Sequence, residues 1–196
     1  MIAYLQGKLN HKTPTFVYVD CNGVGYHVNI SLNTYSKLEN LDQIKIMIYM
    51  HTNDDGSTLY GFMDEAEREV FILLISVSGV GPNTARVILS YMTTNEVKTA
   101  IVHENVPALN KVKGIGPKTA KRIILDLKEK MIKISGDQPM EISSTNDTAK
   151  QEALSALVAL GFAKNTIEKQ INKTLLKYPN LDQVEDLIKM VLKEMR

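Results

Sequence analysis

One pattern occurs twice in this chain and constrains its fold more than any other feature. Leu74 to Ser90 reads LISVSGVGPNTARVILS, and Leu109 to Leu125 reads LNKVKGIGPKTAKRIIL. Each copy has a short apolar lead, Gly-Val/Ile-Gly-Pro, one polar residue, Thr-Ala and an apolar stripe at helical spacing, and the copies are offset by 35 residues. Glycine at alternate turn positions opens backbone angles that a Cβ makes costly and lets another chain come close. Proline suits the first turn of a helix, where its missing N–H has no partner to lose. Each copy therefore predicts helix, tight hairpin, helix. The second helix of each points free N–H groups and the positive end of its dipole at the space the glycines leave open, which is an anion site of a size for phosphate. Ala85 and Ala120 allow a close helix crossing, with Val87, Ile88, Leu89, Ile123, Ile124 and Leu125 as apolar bulk behind them. Gly114, Gly116, Lys118 and Thr119 echo a nucleotide-binding P-loop, but Pro117 intervenes and the lead-in is helical where a P-loop needs a strand.

Charge is concentrated at the second copy. The 196 residues carry a formal net charge of +1, yet residues 106–134 hold eight Lys or Arg against two Asp or Glu. Basic residues beside free N–H groups favour a polyanion. No helix is loaded with Arg, Asn and Gln for base edges, so the pattern suits backbone and shape rather than sequence readout.

Residues 1–62 read as β. Ile2 to Leu9, Thr15 to Asp20, Gly25 to Ile30, Ile44 to Thr52 and Ser57 to Phe62 are short runs rich in β-branched and aromatic residues, with Asn22-Gly23 and Asp55-Gly56 as hairpin signals. Ile44, Ile46, Ile48 and Met50 alternate with a mixed face. Five short antiparallel strands predict a small closed barrel of the OB type. At the last hairpin tip, Asp54 and Asp55 satisfy the ordinary preference of turns for Asp; alternatively, two adjacent carboxylates repel any duplex that comes near.

From Asp64 the pattern turns helical, with Asp64, Glu65, Glu67 and Glu69 at the positive helix end and Thr94 to Glu104 connecting the two hairpins. Residues 135–148, SGDQPMEISSTNDT, have no period and predict a flexible linker. Beyond it, Ala149 to Leu160, Lys164 to Leu176 and Leu181 to Met195 are three amphipathic segments, a small bundle suited to docking a protein. The boundaries are thus 1–62, 63–134, 135–148 and 149–196, an α+β multidomain chain.

Cys21 is the only cysteine, and the four histidines lack ligand spacing, so neither a disulfide, a metal site nor a cofactor is expected. The opening MIAYLQGKL has neither the apolar core of a signal peptide nor the length of a membrane span, and a cytoplasmic location without membrane contact is expected.

With the paired hairpins, MIAYLQGKL, NGVGYHV, LYGF and EALSALVALGF on the page, the whole chain resembles the RuvA family of Holliday junction branch migration proteins. The resemblance implies an OB-fold barrel, a tandem helix-hairpin-helix domain and a UBA-like three-helix bundle. It implies a homotetramer, or an octamer on DNA, that holds a four-way junction open and square-planar, in recombination and repair. The hexameric RuvB ATPase and the RuvC resolvase are the implied partners. By motif position, Gly79, Gly81, Asn83, Thr84, Gly114, Gly116, Lys118, Thr119 and Arg122 line the phosphate sites, and Asp54 and Asp55 form an acidic pin; Leu157, Leu160 and Phe162, with Val158, are the bundle's candidates for facing the motor, on an apolar stripe that equally suits its core. Asn83 stands where relatives often have a basic residue, so the first hairpin is expected to lean on N–H groups more than on charge.

The rival from another class is a glycosylase or nuclease using the same hairpins. A glycosylase needs an Asp presented to a flipped base after its hairpin. Asp126 follows, but mid-helix among Lys and Leu, and the chain shows no nucleophile and base pairing; a subunit without its own catalytic site is the reading retained.

Overall fold

The computed structural model describes residues 1–39, 41–54, 56–135, 145–178, 181 and 183–195. They fall into two compact units, Met1–Gln138 and Pro139–Arg196.

The first unit begins with β1 (Tyr4–Lys12), β2 (Phe16–Cys21), β3 (Val24–Ile30), β4 (Gln43–Asn53) and β5 (Gly56–Phe62), closed in the order β1-β2-β3-β5-β4. Asn22 and Gly23 both have positive φ, 55° and 87°, the requirement of a two-residue hairpin whose twist matches its strands. The strands are not all antiparallel as the sequence suggested: Val28 pairs with Leu59 and Ile30 with Gly61 in a parallel β3–β5 ladder. Closure imposes this, because directions cannot alternate all the way round a ring with an odd number of strands.

Alternation along β4 is borne out at its three isoleucines, while Met50, expected on the same face, is only half-buried. Ile44, Ile46 and Ile48 are buried in the barrel with Leu5, Val17, Val19, Val28 and Ile30. On its other face, Met47 and Tyr49 pack against a second core formed by the helices. Phe71 is the hub of that contact, its ring 4.9 Å from Phe62, 5.2 Å from Tyr60 and 5.5 Å from Tyr49. Burying one such side chain contributes about 1.5–3 kcal/mol.

A helix the sequence reading passed over, α1 (Leu32–Lys37), joins β3 to β4. Ser31 caps it by accepting the Thr34 N–H. The remaining helices of this unit are α2 (Glu65–Ile75), α3 (Pro82–Tyr91), α4 (Thr94–Val102), α5 (Val106–Asn110) and α6 (Pro117–Ser135). Asp64 caps α2, and Thr93 with Glu96 forms a reciprocal capping box on α4. The apolar bulk behind the hairpins needs correcting: Ile88, Leu89, Ile123 and Ile124 are buried, but Val87 is 39% and Leu125 81% exposed. Three consecutive helical residues span about 200° and cannot all face one core.

The second unit contains α7 (Thr145–Ala159), α8 (Lys164–Lys177) and α9 (Val184–Glu194) around Ala153, Leu157, Ile167, Ile171, Leu187 and Val191. After α7, Gly161 at φ 95° lets its own N–H reach the Val158 carbonyl and the Phe162 N–H reach that of Leu157, a glycine-ended helix stop. The linker expected over 135–148 is shorter at both ends, since Ser135 closes α6 and 145–148 open α7; residues 136–144 lie outside the described residues. Among the described residues, no helix is long and apolar enough to cross a membrane.

Candidate nucleic-acid interface

The two repeated stretches have the same backbone. Gly79 has φ 91° and its counterpart Gly114 φ 92°, values that favour glycine. In the first turn the Val77 N–H donates to the Leu74 carbonyl (3.2 Å) and the Val80 N–H to that of Val77 (3.0 Å). In the second, Val112 donates to Leu109 (3.1 Å) and Ile115 to Val112 (3.0 Å). The Gly81 and Gly116 carbonyls then accept from Ala85 (3.0 Å) and Ala120 (2.9 Å) as α3 and α6 begin.

Each turn is pinned from inside and open outside. Val77, Val80, Val112 and Ile115 belong to one core, while Gly79, Gly81, Gly114 and Gly116 are exposed. A Cβ added at any of these four glycines meets nothing within 4 Å. Gly81 makes no side-chain capping bond. Helix geometry leaves the N–H groups of Asn83 and Thr84, and of Lys118 and Thr119, without intrahelical acceptors. These N–H groups at open helix starts, with the dipole behind them, can hold an anion.

Charge separates the turns. Arg86, the one cation in residues 74–90, is directed at the barrel, donating to the Thr15 carbonyl (3.2 Å) and Asn29 Oδ1 (3.0 Å). At the second turn Lys111, Lys113, Lys118, Lys121 and Arg122 are exposed. Arg122 reaches across to donate to the Ser78 carbonyl (3.3 Å), bringing a guanidinium beside Gly79 of the first turn. Lys128 is engaged with Glu104 instead.

Other residues from the sequence reading are dispersed. Asp54 is exposed at the end of β4, and Asp55 lies outside the described residues. Asp126 is exposed midway along α6. In the second unit Leu157 is fully buried and serves the bundle's own core, whereas Val158 is 40% and Leu160 64% exposed and Phe162 is half-buried.

The sequence reading missed the residues that join barrel to hairpins. Glu67, grouped there with three acids at a helix start, is buried; its Oε1 accepts from Ser31 Oγ (2.7 Å) and Thr34 Oγ1 (3.0 Å). Burial pushes its carboxyl above the ordinary range, against the pull of those hydroxyls and the Lys37 ammonium. Lys37 bridges Asp64 (2.7 Å) and Glu67 (3.8 Å). Asn33 Nδ2 donates to the Leu89 (2.6 Å) and Met92 (2.9 Å) carbonyls where α3 ends. Only the Ser31 cap signal was available to find them.

Three family models match: RuvA N terminal domain at residues 1–61, SAM-like helix-hairpin-helix tandem at 71–129 and RuvA C-terminal domain at 148–196. A curated relative from Cytophaga hutchinsonii is 47% identical over 98% of this chain and 99% of its own length. Relatives from Christiangramia forsetii, 47% identical, and Bacteroides fragilis, 43% identical, align over 100% of both chains. Each is named Holliday junction branch migration complex subunit RuvA.

Proposed function

This chain belongs to the RuvA family, and on that premise we propose that it is the Holliday junction-binding subunit of a branch migration complex, without a catalytic site of its own. It binds DNA through phosphates, at the N–H groups of the two glycine turns, with Lys118 and Arg122 adding charge. Asp54 and Asp55 repel duplex from the centre of the junction, which favours an open, square-planar form. Four copies surround the junction, or eight when two tetramers clasp it. The second unit docks the RuvB ATPase through the exposed Leu160 and Val158, with Phe162 at their edge, RuvC being a further partner; residues 1–62, 63–134 and the terminal bundle act as three modules, the bundle joined to the rest through the stretch between α6 and α7. The complex works in the cytoplasm, on the chromosome.

The observation that carries the reading is the pair of outward-open turns with one backbone geometry, built on a shared core. Competition gel shifts with a four-way junction and a linear duplex test it. The chain prefers the junction; Asp54→Asn with Asp55→Asn keeps junction binding and relaxes the preference. Equal affinity of the unmodified chain for both DNAs contradicts the reading, and cleavage of either DNA by the purified chain contradicts the absence of catalysis.

A further inference from the structure

We propose that α1 is a spacer fixing the separation between the β4–β5 hairpin tip and the first glycine turn, with Glu67 and Asn33 as the positioning residues that hold it. On the functional reading above, this fixed separation is a determinant of selectivity for an open junction over linear duplex.

The argument follows the chain from one working part to the other. From the hairpin tip at Asp54, β5 runs to Phe62, and Asp64 caps α2, which ends at Ile75 just ahead of the first turn. Pin and turn are therefore the two ends of one β5–α2 segment. α1 ties that segment to α3, the helix on the other side of the first turn. At the α2 start, Glu67 draws in the hydroxyls of Ser31 and Thr34, the cap and the buried face of α1. At the far side, Asn33 donates twice to the carbonyl end of α3, the helix whose opposite end forms the first anion site, and the Leu32 N–H donates to Ser90 Oγ (3.0 Å). The other end of α1 is held to the barrel by Lys12 Nζ on the Leu38 carbonyl (3.1 Å). A six-residue helix thus touches barrel, α2 and α3 by directional bonds rather than apolar packing alone.

Such bracing matters only for a ligand that meets both ends at once. Linear duplex lies on the turns and is only repelled by the hairpin tip, so it gains nothing from their exact spacing and a loosened brace changes its affinity little. An open junction sets arms on the turns and its centre against the tip, and holding that spacing in advance spares the cost of ordering it on binding.

The test is the same competition assay on the full chain, with melting temperatures taken on the same samples. Asn33→Ala, and separately Glu67→Leu, lower junction affinity about tenfold and leave duplex affinity within about twofold. Glu67→Gln, whose amide oxygen still accepts from Ser31 and Thr34, restores the preference. A folded Asn33→Ala chain with the original preference, or with both affinities reduced in parallel, overturns the proposal. A wild-type chain with no junction preference overturns the functional reading instead, so the two failures are distinguishable. Should Glu67→Leu not fold, Asn33→Ala and Glu67→Gln still decide the matter.

Discussion

The first and second glycine turns have the same φ at their leading glycine to within a degree and the same hydrogen bonds, yet one has no exposed cation of its own and the other has five. The difference separates two contributions that a single turn would confound. On the proposed function, backbone geometry makes the anion site, and charge adjusts how strongly it holds a polyanion and how much salt weakens it. Arg122 refines this, since the second copy lends a guanidinium to the first across 3.3 Å.

The largest expected effect comes from spoiling the shared part. Gly81→Glu and Gly116→Glu each put a carboxylate where φ is ordinary and space is open, so the fold survives while the anion site is reversed. Each lowers junction affinity about tenfold, and the pair lowers it further. Strong loss at Gly116 with none at Gly81 breaks the claim that both turns work through the backbone. Next, Arg122→Ala combined with Gly81→Glu costs less than the two changes summed, whereas combined with Gly116→Glu it is additive; a double-mutant cycle on binding reads this directly. In salt titrations, Lys118→Ala reduces the slope of log affinity against log salt by about 0.9, Asn83→Ala leaves it unchanged, and Asn83→Lys steepens it by about 0.9. Smallest, Gly79→Ala and Gly114→Ala each destabilise the fold by about 1 kcal/mol because of positive φ. Thermal melts showing unequal losses contradict the equivalence of the two backbones.

Much of this was legible in the sequence because it is local. The repeat, the Asn22-Gly23 turn and the alternation of Ile44, Ile46 and Ile48 each declare themselves within a few residues. The parallel β3–β5 pairing was hidden in local patterns, though five strands in a closed ring require one parallel pair somewhere. Val87 and Leu125 were misjudged by treating an apolar triplet as one face. Glu67 was illegible for a different reason: its partners Ser31 and Thr34 are 36 and 33 residues away, and its own neighbours are acids that make a helix start look solvated. The residues proposed to hold phosphate are announced by their motif, while those that hold the motif in place are set by the tertiary fold.

The central claim, that main-chain N–H groups of both turns hold phosphate, is tested most directly by following backbone amide resonances while four-way junction DNA is added. The account predicts large shifts at Asn83, Thr84, Lys118 and Thr119, of similar size in the two turns despite their unequal charge. Unmoved amides at these four positions, with shifts confined to lysine side chains or to other surfaces, would contradict it.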